Sequence, residues 1–130
     1  MATFKFAKLV RDNIIDQQID NGSKPLYRVL NTTEHKQALI EKINEEAREI
    51  IDAPADELAK EIADVQQALD DLRDLCKVTR EAVTNAQQTK NEKAGPFKKG
   101  IYLESVEAGP NDPWVEYYRQ NPDRYPEIKA

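Results

Sequence analysis

Residues 39–72 read LIEKINEEAREIIDAPADELAKEIADVQQALDDL, and this stretch decides the fold. Leu39, Ile43, Ala47 and Ile50 recur at helical spacing, and so do Leu58, Ile62, Val65, Leu69, Leu72 and Cys76. Between the two runs stands Asp52-Ala53-Pro54. Proline cannot continue a helix, yet it fits the first turn of the next one. The pattern predicts a helix over residues 34–51, capped by Thr33, and a second over residues 55–75. So short a connection makes the two helices antiparallel neighbours. A third helix is expected over residues 79–93, stopped by Gly95-Pro96, and a short one over residues 113–120 with Asp112 as its cap. Residues 27–30 and 101–103 read as brief β-like runs. The expected fold is therefore all-α: an antiparallel helical hairpin core, assembling into an oligomeric helical bundle, with minor short β segments. Two long helices cannot enclose a core alone, which is why an oligomer is expected.

Composition sets the outer bounds. A chain of 130 residues suits one main domain. Residues 1–110 carry the helical patterns, whereas residues 111–130 form a proline-rich tail with Trp114, Tyr117, Tyr118 and Tyr125. Those aromatics are expected to pack the tail onto the domain or onto a neighbouring subunit. The net charge of −5 argues against general nucleic-acid binding. Charge is uneven: residues 41–64 hold nine acids and three bases, while residues 90–99 hold four lysines and one acid. The single cysteine, Cys76, excludes an internal disulfide, and its place on an apolar stripe predicts a core residue. His35 is expected at the surface. No apolar run approaches the roughly 18 residues of a membrane span, and the first residues lack a signal-like apolar region. The expected compartment is the cytoplasm, with no membrane partner.

Acid pairs three residues apart are not informative by number. With 24 acids in the chain, chance gives about four such pairs, and five occur: 46/49, 49/52, 61/64, 71/74 and 104/107. Position separates them. At about 100° per residue, Glu46 lies about 20° outside the first apolar stripe and Glu49 about 80° outside it. On the second helix Glu61 and Asp64 repeat the same two offsets. Asp71 and Asp74 fall on the far side. Across a hairpin turning near Pro54, Glu46 and Glu61 should face each other at similar height. Two unpaired carboxylates there would repel each other and lose hydration, and a cation removes both problems. Oxygen-only ligands favour Mg²⁺, with Mn²⁺ a substitute, over zinc or copper. A bound magnesium near a basic segment reads as phosphoryl chemistry.

These residues resemble a known family. Glu45-Glu46-Ala47-Arg48-Glu49, followed by Glu61-Ile62-Ala63-Asp64, is similar to the EExxE…ExxD signature of the MazG-like, all-alpha nucleoside triphosphate pyrophosphohydrolases, which include a phosphoribosyl-ATP pyrophosphohydrolase-like branch. Lys8-Leu9-Val10-Arg11-Asp12 resembles an N-terminal segment of one branch. The stretch from Lys90 through Gly95-Pro96-Phe97-Lys98-Lys99-Gly100-Ile101 resembles a later one. The resemblance implies Mg²⁺-dependent hydrolysis of a non-canonical or surplus nucleoside triphosphate to monophosphate and pyrophosphate, a house-cleaning activity, in a homodimer or homotetramer. Carried over, Glu46, Glu49, Glu61 and Asp64 are metal ligands, and Glu45 and Glu49 serve the attacking water. Lys8, Arg11, Lys90 and Lys93 contact the substrate. The sequence departs from the pattern at Asn13 and Ile15, where Lys and Pro are common. It departs again at Ala94 and Pro96, where Arg and a second Gly are usual. These departures bear on the substrate side and leave the metal residues intact. A competing class is a non-catalytic helical oligomeric interaction module.

Overall fold

The computed structural model describes residues 1–129. Its helices are α1 (Ile14–Asp20), α2 (Thr32–Glu49), α3 (Leu58–Leu75), α4 (Arg80–Ala94) and α5 (Val115–Gln120). The all-α expectation holds. The β-like runs do not: no strand forms among the described residues. Residues 27–30 and 101–103 have the right side chains, but a strand also needs a neighbouring backbone to pair with. Leu26, Val29, Ile101 and Tyr102 instead stay largely exposed.

The chain divides into two compact units, Met1–Lys93 and a second from Ala94 onward. The composition change at residue 111 lies inside the second.

In the first unit α2 and α3 pack on each other. The cap of α2 is Asn31, not Thr33: its side-chain oxygen accepts a hydrogen bond from the Glu34 backbone N–H at 2.9 Å. Thr33 belongs to the helix itself. Pro54 precedes a short 3₁₀ turn, Ala55–Glu57, which leads into α3. At the far end of α3 the Val78 N–H donates to the Arg73 carbonyl at 3.0 Å and the Lys77 N–H to the Asp74 carbonyl at 3.1 Å. That pairing requires a left-handed residue after the cap, and Lys77 supplies it at φ 58°. Cys76 sits at this helix end and is exposed, so it is not a core residue. Thr79 then caps α4, its hydroxyl accepting from the Ala82 N–H at 3.1 Å. His35, in the first turn of α2, is half-buried.

Both long helices are rotated from the faces their apolar stripes define. On α2 the residues not exposed are His35, Ala38, Leu39, Lys42, Ile43, Glu45 and Glu46, while Ala47 is exposed. On α3 they are Glu61, Asp64, Val65, Ala68, Asp70, Leu72, Arg73 and Leu75, while Leu58, Ile62 and Leu69 are 39%, 48% and 48% exposed. The rotation is roughly 60° in each helix. It turns glutamates in and aliphatic side chains out. The only buried hydrophobic residues among those described are Leu39 and Ala68.

In the second unit α5 starts at Val115 with Trp114 as its cap, not Asp112, and no side chain caps it; the Asp112 carboxylate accepts from the Trp114 N–H at 2.9 Å in the turn before the helix. Tyr118 and Tyr125 pack with ring centroids 5.0 Å apart, and Trp114 meets Tyr117 edge-on at 5.7 Å. The Arg119 Nε donates to Glu127 at 2.8 Å, closing the segment back on the helix. The tail aromatics thus pack on one another, with Tyr125 joining the three on the helix.

Candidate functional site

The rotation of α2 and α3 brings together the last third of one helix and the first third of the other. One carboxylate oxygen each from Glu46, Glu61 and Asp64 lies within 4.8 Å of the others. Glu46 is buried, at 8% exposure. One of its oxygens takes the Lys42 ammonium at 3.2 Å. The other, Oε2, is buried without a hydrogen-bond partner, and so is Oε2 of Glu61. Buried polar atoms are ordinarily satisfied by a hydrogen bond. Both oxygens belong to residues of one carboxylate cluster, and neither has a hydrogen-bond donor among the described residues. The donor set is all hard oxygen, three carboxylates within reach of one centre, which fits a magnesium-class cation.

Electrostatics point the same way. The Glu61 carboxyl is held above its ordinary value, first by burial and then by the negative charges of Glu49 and Asp64. Glu49 is exposed on α2 and has no cationic partner among the described residues. It stands at the edge of the trio, not inside it.

Glu45 is placed differently. Its two oxygens take Lys8 at 3.0 Å and Lys42 at 3.3 Å. The hydrogen bond from Lys8 is the main cause that holds its carboxyl below the ordinary value. The same contact raises the Lys8 ammonium. Arg11 reaches the other helix, its Nη2 donating to Asp64 Oδ1 at 2.6 Å. Leu9 and Val10, between the two cations, are half-buried. The N-terminal arm is therefore tied to α2 through Lys8 and to α3 through Arg11, with two half-buried apolar residues between.

The structure brings together Glu45, Glu46, Glu49, Glu61, Asp64, Lys8 and Arg11. It does not bring Lys90 and Lys93 to them. Both lie on α4, every residue of which is exposed. Neither makes an ion pair or side-chain hydrogen bond among the described residues. Two open hollows on the surface also lie elsewhere, one along Thr84, Gln87 and Gln88, the other beside Arg28, Gln37 and Glu41. Among the described residues the cluster lies on a charged surface, and neither hollow includes any of its side chains. Sequence reasoning missed Lys42, which bridges Glu45 and Glu46. The signal was present, since Lys42 stands three and four residues before them, the spacing at which helix side chains meet. It also missed α1, whose short IIDQQID run is too brief to show a period. No protein-family model, curated protein or solved structure matches this chain.

Proposed function

We propose that this chain is a magnesium-dependent nucleoside triphosphate pyrophosphohydrolase, cleaving between the α and β phosphates to give a monophosphate and pyrophosphate. One observation carries the reading: Glu46, Glu61 and Asp64 converge within 4.8 Å, with two buried oxygens unpartnered. The EExxE…ExxD resemblance supports it independently, because it selects the same three residues and adds Glu49.

Glu46, Glu61 and Asp64 would hold the ion, with Glu49 completing the set from the edge. When bound, magnesium supplies positive charge against phosphate oxygens and against the leaving pyrophosphate. The remaining work falls to the chain. Glu49, exposed and without an ion-pair partner among the described residues, would also orient a water beside the ion and take its proton. Glu45, fixed by Lys8 and Lys42, keeps those two ammonium groups beside the reacting end. Arg11 and Lys8 carry the positive charge that triphosphate recognition needs. Lys90 and Lys93 enter from a second copy in this reading, since α4 stands fully exposed in its own chain.

The antiparallel hairpin of α2 and α3 is the unit that assembles. A homodimer or homotetramer in this reading covers the exposed parts of Leu58, Ile62 and Leu69 and brings α4 of a second copy to the cluster.

The exposed apolar face also favours a second reading, a non-catalytic helical interaction module. A nucleotide panel with Mg²⁺, assayed for pyrophosphate, separates the two. Release from at least one nucleotide, lost on Glu46→Gln, supports the enzyme. A folded, oligomeric protein that releases none supports the module.

A further inference from the structure

The positive charge nearest the carboxylates is the protein's own. Arg11 makes a single bond to Asp64, Nη2 to Oδ1 at 2.6 Å, and its side chain remains 61% exposed. The guanidinium has five N–H donors, so most of its hydrogen-bonding capacity is unused by this contact. Lys8 holds Glu45 on the other helix, and its ammonium is also drawn by the charges of Glu49 and Glu46. Leu9 and Val10 seat the arm between them. Asp64 is one of the three carboxylates that converge, so Arg11 and a divalent ion compete for the same side chain.

We propose that the N-terminal arm is an exchangeable clasp. Arg11 neutralises Asp64 while the cluster is without metal, gives Asp64 up to the ion, and turns its guanidinium to the substrate's phosphate. This rests on the metal reading above and adds an order to it: ion first, phosphate second. Lys8 stays on Glu45 throughout and keeps the arm tethered, so Arg11 moves by side-chain rotation alone. An exposed ion pair of this type competes weakly, by a factor of about two to five. It lowers the cluster's self-repulsion without blocking the ion. Once freed, a guanidinium can take two phosphate oxygens at once, which a lysine cannot do.

The test uses the full chain and three probes: Mn²⁺ alone, Mg²⁺ alone, and inorganic triphosphate with saturating Mn²⁺. In a paramagnetic resonance titration, Arg11→Ala should bind Mn²⁺ about two to five times more tightly than the parent. Its calorimetric Kd for triphosphate should rise about tenfold. Arg11→Lys should keep the parent's Mn²⁺ affinity and lose triphosphate affinity. In the unsubstituted protein the Arg11 Nε–H resonance should shift on Mg²⁺ addition and shift again on adding triphosphate. This last readout needs no variant and stands even if Arg11→Ala misfolds. Mn²⁺ binding that is unchanged or weakened in a folded Arg11→Ala, or an Arg11 resonance indifferent to Mg²⁺, overturns the clasp alone. Failure of the parent to bind Mn²⁺ at all overturns the metal reading and the clasp with it.

Discussion

Glu46→Gln separates a metal ligand from a structural glutamate. In the metal-free protein Glu46 is buried, one oxygen has no partner, and carboxylate oxygens of Glu61 and Asp64 stand within 4.8 Å. At an effective dielectric near 20, two unit charges 4.8 Å apart repel by about 3.5 kcal/mol, most of which the ion pairs of Lys42 and Arg11 offset. The orphaned oxygen adds about 1–3 kcal/mol of lost hydration. Against this, the substitution loses an i,i+4 ion pair to Lys42 worth about 0.3–0.5 kcal/mol. It gains an amide that can donate to Glu61. The net effect in EDTA is a stabilisation of about 1–2 kcal/mol. For a 60–100-residue unit that raises Tm by about 5–10 °C. With Mg²⁺ at ten times its Kd the parent should gain about 1.4 kcal/mol by mass action, and the variant nothing. The assay is a pair of thermal melts followed by circular dichroism, in EDTA and in Mg²⁺. A variant that melts below the parent in EDTA, or that is stabilised equally by Mg²⁺, would show that Glu46 is held by contacts of the fold and refute the reasoning.

Three further outcomes are expected. Covering the exposed parts of Leu58, Ile62 and Leu69 is worth about 2–4 kcal/mol per chain. Ile62→Asp should therefore convert the proposed oligomer to monomer in light scattering, and an unchanged oligomer mass would place the interface elsewhere. The raised Glu61 carboxyl favours its protonated form in the fold, so the metal-free protein should lose stability as pH climbs from 4.5 through that raised value. Glu45 acts in the opposite sense below 4.5, where its depressed carboxyl loses its contribution as pH falls. Melts of Glu61→Gln in EDTA should lack the decline above 4.5, and a parallel decline in the variant would assign it to another group. Lys77→Gly should stabilise α3 by about 0.5–1 kcal/mol, because glycine adopts φ 58° without the steric cost a lysine bears. A lower denaturation midpoint would contradict that.

Helix positions were legible because Pro54, Gly95 and the 3.6-residue period mark ends and faces locally. The pairing of Glu46 with Glu61 was legible too, since it follows from equal distances to one turn. The inward face was not. A hydrophobic stripe reports which side chains favour leaving water, and it does not say which neighbour covers them; here α2 and α3 do not cover all of it. The helices therefore rotate toward Glu46 and Glu61, and Leu58, Ile62 and Leu69 stay out. The β-like runs misled for a related reason: side-chain preference at residues 27–30 says nothing about whether a partner backbone is present. Cys76 was misread because the stripe was extended into the helix cap, where the chain turns away at Lys77. Arg11 and Lys8 were named as substrate residues, yet sequence spacing gave no sign that they rest on Asp64 and Glu45.

Hydrolysis in ¹⁸O-labelled water tests the proposed chemistry most directly. The protein is given Mg²⁺ and each nucleoside triphosphate in turn, and the products are weighed by mass spectrometry. Label confined to the nucleoside monophosphate, with unlabelled pyrophosphate, is the expected result, and Glu46→Gln should abolish it. Label in orthophosphate, label in pyrophosphate, or the same products from Glu46→Gln would contradict attack at the α-phosphorus by a water served from this cluster.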